Sequence, residues 1–197
     1  MVGTAKMPRA AALILGASLA LAGCNDNSGG SAPTPSSTKA SASSTATTTT
    51  SQDPEAAIWN PCDIPDSAIS ALGLNTASKD NTVAGVDFTG WKVCSWLSGP
   101  KTYSFTIMSS EHNVDEVRQR TDYVDFTSTT AGSRPAVQYR NTGAVRDLVC
   151  YISVEMPYGI ATFKVQNRYG SAGSGAPEPC SEVRRLSDAL TDYLPQR

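Results

Sequence analysis

The residues with which this chain could do chemistry are five cysteines, one histidine and two neighbouring aspartates. Cys24 stands near the N-terminus, while Cys62, Cys94, Cys150 and Cys180 are spread along the remainder. Four widely spaced thiols read as two disulfides. A zinc site competes for them, but no Cys-x-x-Cys occurs and His112 is the only imidazole able to complete a tetrahedral set. The same histidine would have to activate any serine nucleophile. It lies in the polar stretch Ser109-Ser110-Glu111-His112-Asn113, where an exposed position is the simpler reading. Asp122 and Asp125 could form a carboxylate pair for glycosidic chemistry, or could simply be solvated. The glycine-rich Gly170-Ser171-Ala172-Gly173-Ser174-Gly175 lacks both the Gly-x-Ser-x-Gly spacing and a P-loop lysine, so it reads as part of a loop running to Pro177. This reading assigns no catalytic residue, metal ligand or cofactor.

What surrounds Cys24 gives its thiol a different role. Lys6 and Arg9 precede an apolar and small-residue run over residues 10–22, and no acid occurs in residues 1–23. As a helix that run would span roughly 20 Å at about 1.5 Å per residue, short of the roughly 30 Å bilayer core. A cleaved signal segment therefore fits better than a retained membrane span. Leu21-Ala22-Gly23-Cys24 resembles a bacterial lipobox. The resemblance implies that a signal peptidase recognises Leu21, Ala22 and Gly23 and cuts before Cys24, whose sulfur carries diacylglycerol. Two acyl chains, at about 0.8 kcal/mol per buried methylene, would hold the protein stably at a membrane.

From Asn25 to Asp53 there is no Val, Ile, Leu, Met or aromatic residue. Ser, Thr, Ala, Gly and Pro have nothing to bury and cannot offset the entropy of ordering. The segment 24–53 is expected to be a disordered tether with a root-mean-square reach of roughly 30 Å, either bare or O-glycosylated. The formal net charge is −2, and no Lys/Arg cluster longer than Arg184-Arg185 occurs, which argues against a nucleic-acid partner.

Residues 54–197 are long enough for one domain with a core. Asp63 is a candidate cap for a short helix carrying Ile64, Ala68, Ile69 and Leu72, with Pro65 in its first turn and Gly73 as its stop. Val86-Asp87-Phe88 and Trp91 to Trp96 read as strands. Tyr103, Phe105 and Ile107 alternate with polar residues, the period of a half-buried strand. Asn113 can cap a second helix with Glu116 completing a capping box and Val114 and Val117 facing inward. Tyr123 to Phe126 and Ala136 to Tyr139 are short strand candidates. Leu148, Cys150, Ile152 and Val154 alternate, and Met156-Pro157-Tyr158-Gly159 turns the chain into Ile160 to Val165. Ser181 can cap a final helix, with Val183, Leu186, Leu190 and Tyr193 at helical spacing.

Hairpin strands between helices predict an α+β fold: a mainly antiparallel sheet with helices packed on one face and two disulfides. Trp91, Trp96, Phe105, Ile152, Val154 and Phe163 are expected in the core. Cys62 and Cys180 each follow a proline and precede a helix, while Cys94 and Cys150 sit in strands. That symmetry favours Cys62–Cys94 with Cys150–Cys180. The nested pairing, Cys62–Cys180 with Cys94–Cys150, stays open.

The lipobox, the Ser/Thr-rich segment, Asn60-Pro61-Cys62, Cys94-Ser95-Trp96, Cys150 and Pro179-Cys180 occur in an order that resembles a set of actinobacterial lipoproteins known as a domain of unknown function. The resemblance covers roughly Trp59 to Pro195. It implies a location and a disulfide framework and brings no catalytic residues. A looser, architectural likeness is to extracellular sensor domains of actinobacterial Ser/Thr kinases. The expectation is a lipid-anchored protein on the outer face of the cytoplasmic membrane. It would be a non-catalytic binding or accessory module for a lipid, glycan or envelope protein. A carboxylate-dependent envelope hydrolase and a docking subunit of a membrane or secretion complex are the alternatives.

Overall fold

In the computed structural model, residues 57–170 and 175–196 are described. The expected signal segment 1–23, Cys24 and the expected tether 24–53 lie outside these residues, as does part of the Gly170–Pro177 loop. The alternating runs pair into a seven-stranded sheet. Its strands are β1 (Leu74–Asp80), β2 (Trp91–Ser98), β3 (Tyr103–Ser110), β4 (Tyr123–Ala131), β5 (Arg134–Asn141), β6 (Val149–Met156) and β7 (Gly159–Asn167). The spatial order is β1-β2-β3-β7-β6-β5-β4, and every neighbouring pair is antiparallel. Two meanders, β1 to β3 and β4 to β7, therefore join along the β3–β7 seam. The fold is the α+β architecture that the pattern predicts.

Among the described residues three α-helices with full ranges accompany the sheet: α1 (Asp66–Ala71), α2 (Val114–Gln119) and α3 (Pro179–Leu190). Their caps depart from expectation in two places. Asp63 ends a 3-10 turn, Pro61–Asp63, whose cap is Asn60: its side chain accepts from the Cys62 N–H at 3.0 Å. Pro65 then occupies the N-cap of α1. At α3 the cap is Glu178, which accepts from the Ser181 N–H at 2.7 Å. Its longer carboxylate reaches back over Pro179, which has no N–H to satisfy. At α2 the expected cap holds: Asn113 Oδ1 accepts from the Glu116 N–H at 2.9 Å. Glu116 Oε1 in turn accepts from the Asn113 side-chain amide at 3.0 Å, instead of from the backbone N–H of the usual box. Gly73 takes φ +80°, the left-handed position that ends α1.

Alternation along the strands sorts the apolar residues into two clusters on opposite faces of the sheet. Cys94, Trp96, Phe105, Ile107, Cys150, Ile152, Val154, Phe163 and Val165 meet Val183, Leu186 and Leu190 of α3 and Ile69 of α1. Trp96, Phe105 and Phe163 run across neighbouring strands with ring centroids 6.2 and 6.3 Å apart. On the other face Val137, Tyr139, Val149, Tyr151 and Ile160 pack under Val114 and Val117 of α2, so the helices divide between the two faces instead of packing on one as expected. β6 is therefore buried on both faces, and Leu148 falls in the 3-10 helix Gly143–Leu148 instead of the strand.

Trp91 is a correction to the expected core. It is half-buried at the start of β2, with its ring 5.2 Å from that of His112. Val86-Asp87-Phe88 is another. Val83 and Val86 exchange two backbone hydrogen bonds around Ala84 and Gly85, both at positive φ, forming a two-residue turn outside the sheet. A strand there would need a partner edge, and β2 already has β1 on that side.

Candidate functional site

The cysteines pair as the local symmetry favours. Cys62–Cys94 joins the turn before α1 to β2 with a Cα separation of 5.2 Å, and Cys150–Cys180 joins β6 to the first turn of α3 at 5.0 Å. The nested scheme is excluded. All four thiols are consumed, and among the described residues no group of three or more His, Cys, Asp or Glu side chains is arranged to hold a metal ion.

The remaining candidates are separated. His112 Nδ1 lies 2.6 Å from Glu116 Oε2 on the exposed end of α2. The nearby serine hydroxyls of Ser109 and Ser110 are buried and make no hydrogen bond to it. Asp122 binds Arg120 through two bonds of 2.9 and 2.6 Å. The arginine holds its carboxyl below the usual value, the wrong direction for a general acid. Asp125 sits at a bulge in β4, at φ +59°, and accepts from Arg146 at 2.9 and 2.7 Å. Each aspartate is thus drawn to its own arginine, and the two carboxylates do not form a working pair.

A concave site arises where β5 separates from β6. The β5–β6 ladder runs only from Tyr139↔Tyr151 to Ala136↔Val154, although β6 continues to Met156. The next residue of β5 is Pro135, which has no N–H to extend the ladder. Arg134 fills part of the gap: its guanidinium donates to the carbonyls of Glu155 at 2.8 Å and Pro195 at 3.0 Å. The result is a cleft of about 480 Å³, within the range of ligand sites. Val114, Pro135, Ala136 and Val137 give it apolar walls, and Ser128, Ser133 and Gln196 supply polar groups. Its ionic groups are Arg118, Arg134 and Glu155. Arg118 lies one turn beyond Val114, on the same side of α2.

A second cleft, of about 430 Å³, lies at the β1–β2 side between Asn60, Trp91, Lys92 and the connection carrying Val86, Asp87 and Phe88. Val83, Val86 and Phe88 are 42, 53 and 50% exposed, an apolar tip on a tight turn. Elsewhere on the α2 face, Lys164 of the central strand β7 is half-buried, its Nζ 6.0 Å from the centroid of the Tyr151 ring. Burial lowers the pKa of its ammonium.

The cleft residues were not visible as candidates from the sequence. The available signals were Pro135 inside a strand-like run and the i,i+4 spacing of Val114 and Arg118. No curated protein and no solved structure matches the chain. A family model described as a protein of unknown function (DUF3558) matches residues 19–193, and the chain belongs to that family.

Proposed function

We propose that this chain is a lipid-anchored, extracytoplasmic module of the cell envelope that binds a ligand or partner without transforming it. The observation that carries the reading is the pair of disulfides, each fixing the start of a helix to a strand. Such bridges persist in oxidising compartments and are rare in reducing ones. Leu21-Ala22-Gly23-Cys24 supplies the matching means of attachment. Cleavage before Cys24 and acylation of its sulfur would leave the domain outside the cytoplasmic membrane on a Ser/Thr-rich tether.

Binding is favoured over hydrolysis because His112, Asp122 and Asp125 each have a separate neighbouring partner, while the β5–β6 cleft offers unlike groups around one space. A docking subunit is the second reading, favoured by the exposed Val83 and Val86 at a tight turn and Phe88 just after it. Cell fractionation of the wild type and Cys24→Ala tests the attachment. The wild type is expected in the membrane fraction and the detergent phase. The variant is expected in the medium or as an uncleaved precursor. A cleaved variant that stays in the detergent phase contradicts the reading.

A further inference from the structure

We propose that the cleft between β5, β6 and α2 binds an organic carboxylate with a short apolar body, such as the C-terminus of a peptide. The charge balance points to an anion. The protein is net negative overall, yet two guanidiniums and one carboxylate line this space. Arg134 is held on the carbonyls of Glu155 and Pro195 and is therefore a fixed positive wall. Arg118 stands exposed on α2 with none of the ion pairs or hydrogen bonds that engage Arg120, Arg140, Arg146, Arg184 and Arg185. Its planar fork suits bidentate capture of a carboxylate.

The walls narrow the class further. Val114 and Val137 are buried apolar side chains beside the space, so part of the ligand is expected to be hydrocarbon. Among the described lining residues there is no aromatic ring on which a sugar could stack. Ser128 and Ser133 offer hydroxyls for one or two neutral hydrogen bonds, enough for a peptide group.

The inference deepens the binding-module reading and rests on it only for the existence of a ligand. Attachment through Cys24 does not enter the assay, so the two fail separately. The full chain, oxidised and in detergent, is titrated with N-acetyl-valyl-alanine, with its C-terminal amide, and with isovalerate. Binding is read by calorimetry and by backbone amide shifts. The free-acid peptide is expected to shift Ser128, Ser133 and Val137, and the amide to bind about tenfold more weakly, as loss of a charge-assisted pair implies. Arg118→Gln is expected to give the same tenfold loss with an unchanged melting temperature, and Arg118→Lys a smaller one. Isovalerate binding as tightly as the peptide would assign the site to small acids; tighter peptide binding would assign it to chain termini. Equal binding of acid and amide, wild-type affinity in Arg118→Gln, or no shift at these residues up to millimolar ligand overturns the proposal.

Discussion

The phenol of Tyr103, at the first residue of β3, donates to a carboxylate oxygen of Glu182 in the first turn of α3 at 2.5 Å. Arg185 donates twice to the same carboxylate, at 2.6 and 3.0 Å, and once to the carbonyl of Leu72 at the end of α1, at 3.1 Å. One acid thus ties a strand to the two helices that cover its face. Burial, with the bond to Glu182 adding to it, pushes the phenol well above its ordinary pKa.

Tyr103→Phe removes only the hydroxyl and leaves a carboxylate short of one donor. The expected loss is about 2 kcal/mol, the range for a hydrogen bond to a charged group. A chemical denaturation midpoint that drops with an unchanged slope checks it.

Glu182 also sets an acid dependence. Burial pushes its carboxyl up, but hydrogen bonds from Arg185 and Tyr103 outweigh that and leave the folded pKa below the ordinary 4.5. A depressed folded value means the contribution is complete above the unfolded value and is lost as pH falls through the folded one. Glu182→Gln should therefore be less stable than wild type at neutral pH and show a shallower fall below pH 4.5. Unfolding free energies across that window give the comparison.

Each disulfide closes a loop with a sequence separation of 32 or 30 residues. In the chain-entropy model, losing either bridge costs roughly 3–4 kcal/mol. The Cys150→Ala/Cys180→Ala variant is expected to lose that amount in equilibrium denaturation, and reduction of both bridges to lower the melting temperature further.

Gly159 begins β7 at φ +112°, and a Cβ there would lie 1.8 Å from the carbonyl oxygen of Ser110. The two strands approach too closely for any side chain. Gly159→Ala combines a backbone strain of roughly 1–3 kcal/mol with a steric clash. It should unfold, or separate β3 from β7 with loss of amide-exchange protection at Ser110 and Ile160.

Strands and helices with a clear apolar period were legible in the sequence: β2, β3, β6, β7, α2 and α3. Of the edge strands, β1 was not, and β4 was legible only at its start, Tyr123 to Phe126. Leu74-Asn75-Thr76-Ala77-Ser78-Lys79-Asp80 buries only its leucine, and Thr127 to Thr130 of β4 has no apolar residue to mark a face. Such strands are defined by a neighbour's backbone and leave little trace in side-chain pattern. The disulfide pairing was legible because Pro-Cys before a helix and Cys within a strand are local features. The cleft was not, since it brings together α2, the β4–β5 hairpin, β6 and Gln196, and exists because Pro135 interrupts a ladder. Trp91 shows the opposite error: a large aromatic in a strand, half-buried against His112 because β2 begins there.

The proposed attachment and the two bridges together require one mature protein with an acylated Cys24 and four oxidised cysteines. Mass spectrometry of the protein extracted from membranes and digested without reduction reads all five at once. The prediction is a peptide beginning at Cys24 and ending at Lys39 that carries a diacylglyceryl mass, together with cross-linked peptides pairing Cys62 with Cys94 and Cys150 with Cys180. An unmodified Cys24 within an uncleaved leader, or four alkylatable thiols in the native protein, would contradict it.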